Sequence, residues 1–150
     1  MIKSKLLISL ILISIIGGCG FHTPHKNKSI NAEIIGDTNS IIARKLNNSF
    51  DRNLESNLTI EISKEIKKKT AITFNNDGSD LGYQISYIVP IKFYGKDGSL
   101  LLDKKFSKST YQQELSSSQA NIILLGDTYD DLAESLVIKI LRNLNYLSDS

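Results

Sequence analysis

The chain has 150 residues, 41% of them hydrophobic, with 18 basic and 16 acidic side chains and a single cysteine. That length holds one domain with one core, and one cysteine excludes an internal disulfide, so packing alone must support the fold. Removing residues 1–18 takes two of the eighteen basic residues and leaves sixteen against sixteen acids, a neutrality that gives no global attraction to nucleic acid.

Lys3 and Lys5 form a positive start, and Leu6–Ile16 is a dominantly apolar run that ends in Gly17-Gly18-Cys19. The run suits a signal peptide and falls short of the roughly 18 residues that would span a bilayer. Ile16-Gly17-Gly18-Cys19 resembles the bacterial lipobox, in which small residues let a peptidase reach the bond before a lipidated cysteine. The resemblance implies residues 1–18 as signal peptide and Cys19 as the N-palmitoyl, S-diacylglycerol cysteine of the mature chain. Several acyl chains at about 0.8 kcal/mol per buried methylene make a permanent anchor. Gly20, where an inner-membrane retention signal would carry Asp, implies the periplasmic side of an outer membrane. Residues 19–29 are then a lipidated N-terminus and polar tether.

Ile30–Ile35 reads as a first strand, and Gly36–Ser40 as a turn rich in helix-capping residues. A helix follows from Ile41 to Asn53, with Ile42, Leu46 and Phe50 on one face. From Leu58 to Phe74 the apolar residues Leu58, Ile60, Ile62, Ile66, Ile72 and Phe74 share one parity, the pattern of one long half-buried strand. Lys68 falls on that apolar parity. After the turn residues 75–80, Tyr83, Ile85, Tyr87, Val89, Ile91 and Phe93 form the inner face of a third strand. Pro90 within it demands an open edge or a bulge, because it has no N–H for a ladder. Lys96-Asp97-Gly98-Ser99 is a hairpin signal leading into a fourth strand, Leu100–Tyr111.

The final helix is the clearest periodicity: Tyr129, Leu132, Ala133, Leu136, Val137, Ile140, Leu141 and Leu144. Its acids lead and Lys139 and Arg142 follow, which matches a helix dipole, and Ser116–Ser118 cap the region. The expected fold is α+β, a two-layer sandwich in the order β-α-β-β-β-α. A mostly antiparallel four-stranded sheet is covered by two helices over residues 30–147, with residues 148–150 as a tail.

Three segments carry a family resemblance: Cys19-Gly20-Phe21-His22; Phe74-Asn75-Asn76-Asp77-Gly78 with Tyr83-Gln84-Ile85; and Tyr129-Asp130 with Ala133-Glu134 and Leu136. Together with the element order they resemble LptE, the lipopolysaccharide-assembly lipoprotein family. The resemblance implies a non-enzymatic protein without a cofactor that plugs the lumen of an LptD-type β-barrel. It would assist that barrel's assembly and the delivery of lipopolysaccharide to the outer leaflet. The alternative is another small outer-membrane lipoprotein, an envelope-assembly subunit or a ligand-binding module.

The family's basic side chains near the hairpin and before the last helix have no counterparts here, where Asn75, Asn76 and Ser116–Gln119 stand. The basic residues available to meet lipopolysaccharide are Lys67, Lys68 and Lys69 on the second strand and Lys104, Lys105 and Lys108 on the fourth. The plainer role for all six is solvating strand edges against aggregation. His22 and His25 lack a third metal ligand, and both precede the folded region, so neither serves a serine nucleophile. Asp127 and Asp131 share a helix face as ordinary solvent-facing acids. No nucleic-acid partner, metal or catalytic set is expected.

Overall fold

The computed structural model describes residues 29–148. The signal peptide, Cys19 and the tether before Ser29 lie outside the described residues. The elements are β1 (Glu33–Gly36), α1 (Ile41–Ser49), β2 (Leu58–Ile62), β3 (Ile66–Phe74), β4 (Asp80–Gly95), β5 (Leu100–Gln113) and α2 (Ser118–Ser148).

Everything in the sheet refers to β4. Along one edge it pairs with β5, from Gly82 opposite Gln113 to Tyr94 opposite Leu100. Its other edge is shared: β2 pairs with Ile91–Gly95 and β3 with Asp80–Ile88. β1 lies outside β2 and parallel to it, while all other pairings are antiparallel. The α+β two-layer arrangement is as expected, but the sheet has five strands where four are predicted.

The fifth strand comes from a single residue. Between the pairs Ile62–Ile91 and Ile66–Ile88, one strand advances four residues while β4 retreats three. The surplus is a bulge over residues 63–65, and one extra residue exchanges the faces of the strand that follows as far as Ala71, beyond which the register of β3 on β4 shifts again. Leu58, Ile60 and Ile62 therefore enter the core, whereas Ile66, Ile72 and Phe74 are 42%, 48% and 58% exposed. The shared parity of 58–74 is real in the sequence and broken in the fold. Pro90 lies opposite this break. Its carbonyl accepts the Ser63 N–H at 3.1 Å, and a strand residue's N and O point to the same edge. The missing N–H of Pro90 thus faces the bulge, where no ladder donor is required.

On β4 the odd positions Ile85, Tyr87, Val89, Ile91 and Phe93 are fully buried. They meet Ile42 and Leu46 of α1 and Leu136, Ile140 and Leu144 of α2 in one core. Ser40 caps α1 by accepting the Ala43 N–H at 2.9 Å. The helix ends at Ser49, four residues before the predicted end, because Phe50 turns extended and buries its ring. The next N–H, of Asp51, goes instead to the Ile30 carbonyl at 3.0 Å. Gly36, at φ +88°, closes the β1–α1 connection where a Cβ would stand 2.4 Å from the Ile62 carbonyl oxygen.

α2 has 31 residues, about 46 Å at 1.5 Å per residue, and runs the length of the domain. Its start is capped as expected, with Ser117 Oγ accepting the Ala120 N–H at 3.3 Å. The dipole reading is corrected, however. Because the helix begins eleven residues before Tyr129, Asp130 and Asp131 lie in its middle, and neither end carries the expected charges. Buried Asn121 ties its first turns to the connection that follows β5. It accepts the Leu115 N–H at 2.8 Å and donates to the Leu115 carbonyl and to Glu114.

Candidate functional site

The fold has two ends. At one, Ser29 and Ile30 meet Leu58, Leu101 and Leu147 around an open groove of about 600 Å3, which sets Ser29 beside the end of α2. At the other, the β3–β4 turn, the end of β5 and the start of α2 come together. There Ile72, Phe74, Leu81, Leu115, Ile122 and Ile123 are all exposed. Both helices cover one sheet face, and the other is open and largely polar. On the open face Ser86 and Ser109 share a hydroxyl contact at 2.9 Å, and Tyr94 donates to Glu61 at 2.6 Å. The Tyr111 ring lies across Gly82 on this face, where a Cβ would meet its hydroxyl at 2.2 Å.

The junction between the two ends is built by the bulge. It turns Glu65 toward the helices, where Oε1 accepts the Ile42 N–H at 3.0 Å and Oε2 accepts the Tyr87 hydroxyl. One carboxylate thereby supplements the cap of α1 and satisfies a phenol otherwise sealed in the core. Burial, with Glu65 beside it, pushes the Tyr87 hydroxyl far above the ordinary tyrosine range. Tyr129 of α2 meets the Tyr87 ring edge-on at 6.0 Å, and burial raises its hydroxyl as well. Sequence periodicity alone marks neither Glu65 nor this network, since Glu65 sits on what reads as the solvent parity.

The six predicted lysines do not form one surface. Lys67, Lys68 and Lys69 lie on β3 and Lys104, Lys105 and Lys108 on β5, along opposite edges of β4. Each triplet is split again by strand alternation. Lys67, opposite Tyr87, points to the helix side with its ammonium 5.2 Å from the Tyr87 and Tyr129 rings. Lys69 stands 3.5 Å over the Tyr83 ring and 3.7 Å from Glu114. Tyr83 donates to Asp80 at 2.9 Å, and that bond foremost pushes its hydroxyl up to about 12. Lys68 is the member that faces the open side, opposite Ser86. The sequence expectation that Lys68 shares the core's parity is therefore reversed: Lys67 and Lys69 hold the helix side, against aromatic rings.

Lys104 and Lys108 also take the helix side. Lys108 borders an open groove of about 590 Å3 with Thr128, Asp131 and Ser135. Lys104 lines a cleft of about 380 Å3 with Phe106, Ser107, Lys139, Arg142 and Asn143, and Lys105 completes the lining. Lys139 and Arg142 are the residues that sequence reasoning spent on the helix dipole. Their three-residue spacing puts them on one helical face, a signal that points to a site only once β5 is known to run alongside. Among the described residues no three His, Cys, Asp or Glu side chains gather as a metal set. No described helix is long and apolar enough to cross a membrane.

No family model and no curated protein sequence matches the chain. Its fold is nevertheless similar to solved bacterial lipoproteins. Rare lipoprotein B from Shewanella oneidensis superposes with a TM-score of 0.69 at 9% identity, covering 78% of this chain and 95% of that one. An uncharacterized lipoprotein B from Nitrosomonas europaea gives 0.67 at 15% identity, over 87% and 94% of the two chains. A minor lipoprotein from Acinetobacter baumannii gives 0.51 at 13% identity, over 78% and 94%.

Proposed function

We propose that the chain is a lipid-anchored outer-membrane protein, held at Cys19, that plugs an LptD-type β-barrel and serves lipopolysaccharide delivery without catalysis. The observation that carries this reading is the agreement between a lipobox-like start and a fold shared with lipoproteins across 78–87% of the chain. The LptE-like motifs of the sequence supply the partner. The open sheet face supports it: serine, threonine, tyrosine and lysine side chains suit a water-lined barrel lumen better than hydrocarbon. The grooves of about 380–600 Å3 are open to solvent, and a carrier of free lipid needs an enclosed apolar cavity instead.

The test is a tagged pull-down from detergent-solubilised outer membranes, with the captured proteins identified by mass spectrometry. A stoichiometric large β-barrel is the expected result. Recovery of the lipoprotein alone from that fraction would reject the plug and leave the anchor. Cys19→Ala should release a soluble, folded chain, and its misfolding would reject the picture of an independent tethered domain.

A further inference from the structure

We propose that the apolar groove beside the end of α2 is the seat of Phe21, so that the segment from Cys19 to Ser29 folds back onto the domain. Ile30, Leu54, Leu58, Leu101 and Leu147 stand in the lining of this groove, and among the described residues Glu55 is its single charged member. Leu54 and Leu101 are left 41% and 43% exposed. The other two grooves beside α2 differ, since one carries Lys108 and Asp131 and the other four basic side chains. A hollow of about 600 Å3 walled by leucine and isoleucine calls for an apolar occupant.

The occupant is identified by where the chain joins the groove. Ser29, the first described residue, is itself part of the lining. From Cys19 to Lys28 the sequence holds one aromatic or large aliphatic side chain, Phe21. The stretch from Phe21 to Ser29 reaches up to about 26 Å, so the ring can enter a groove that begins at Ser29 with slack to spare. So short a leash keeps the ring at millimolar effective concentration, which fills even a weak site. The polar groups agree. Asn31 joins two walls of the groove by donating to the Leu54 carbonyl at 2.7 Å. Its Oδ1 is buried with no partner among the described residues, as is Oδ1 of Asn145 in the last turns of α2. Buried acceptors require donors, and a returning segment brings a row of backbone N–H groups. It also brings Lys26 and Lys28 and no acid, so the Glu55 carboxylate does not repel it. The consequence is mechanical. Fully extended, the segment sets Cys19 about 33 Å from Ser29, whereas with Phe21 seated Cys19 lies within about 7 Å of the groove.

The seat itself needs nothing from the proposed function; only the closeness of this end to a bilayer rests on the anchor at Cys19. The test places p-benzoylphenylalanine at position 21 of the full, membrane-anchored chain, which keeps an aromatic ring there. Isolated membranes are illuminated, and the cross-linked peptides are mapped by mass spectrometry. Bonds within one chain to residues 30–31, 54–58, 101 or 147 are expected, and the same probe at Thr23 should lose most of them. With no probe present, Phe21→Ser should speed amide exchange at residues 30–31 and 54–57 about ten-fold, and Phe21→Leu should restore the protection. Bonds to lipid alone, to a second copy of the chain or to another protein would overturn the seat. Equal yields from positions 21 and 23, or unchanged exchange in Phe21→Ser, would overturn it too. Repeating the cross-link in Cys19→Ala separates the two readings. Bonds that persist in the released chain support the seat, and their loss there overturns it. A wild-type chain that shows the bonds outside the membrane fraction keeps the seat and rejects only the anchor.

Discussion

The two halves of β4 are made from the same alternating sequence and have opposite surroundings. From Ile91 to Gly95 the strand is flanked by β2, whose Leu58, Ile60 and Ile62 extend the apolar face. From Asp80 to Ile88 it is flanked by β3, which offers Lys67 and Lys69 to the helix side and leaves its own isoleucines in solvent. A single inserted residue makes the difference, and it also aims Glu65 at the one tyrosine buried deepest in the core. A bulge can therefore convert the continuation of a core into cationic, aromatic surface without changing the composition of the strand.

The largest expected effect separates the halves directly. Leu136→Asp places a carboxylate in the fully buried core and should cost about 4 kcal/mol or more, unfolding or depleting the protein. Ile122→Asp, at the exposed start of α2, should stay within about 0.5 kcal/mol. Denaturant midpoints check both, and equal losses would erase the distinction between the two ends. Next in size is Glu65→Ala, which orphans the buried Tyr87 hydroxyl and removes a partner from the α1 terminus. A loss of about 2 kcal/mol is expected, with faster amide exchange in β3 than in β2. Exchange that accelerates equally in both strands would show that Glu65 does not hold the junction.

A pH series sharpens the contrast further. Tyr83 keeps its proton to about 12 in the folded chain, and Tyr87 is raised as well, whereas unfolded tyrosines lose theirs near pH 10. The unfolded state thus binds fewer protons between pH 10 and 12. Stability contributed below pH 10 is lost as pH rises through that window. Unfolding midpoints of the wild type should fall more steeply there than those of Tyr83→Phe, and parallel curves would refute the assignment. The smallest effect belongs to the exposed pair of Lys96 and Glu55, 2.6 Å apart near the tether. Its side chains are mostly in water, so Lys96→Ala should move no thermal midpoint measurably.

Where reading the sequence succeeded, one short-range rule sufficed. The 3.6-residue period of Leu132–Leu144, the alternation of Tyr83–Phe93 and the Asp-Gly turn at Asp97-Gly98 each name their element, because neighbours along the chain are also neighbours in the core. Ser40 and Ser117 cap the helices as their side-chain chemistry requires. The early end of α1 and the early start of α2 escaped that rule. Phe50 leaves its helix in an extended conformation to join the core, and Asn121 is satisfied by Glu114 and Leu115 of the connection after β5.

The basic side chains show the same limit more sharply. Lys104, Lys105, Lys139 and Arg142 are legible as charges, yet only strand–helix packing brings residues more than thirty positions apart to one cleft. The triplet 67–69 looks uniform in one dimension and is divided by strand alternation into two helix-facing residues and one facing the open side. By itself the sequence determined the anchor-like start, the helix and strand classes and most of the core, since these depend on local period and transfer free energy. The bulge, the partners of β4, the junction at Glu65 and the basic cleft were decided by tertiary structure. Register and convergence depend on which distant backbone supplies the next hydrogen bond, and no local pattern encodes that choice.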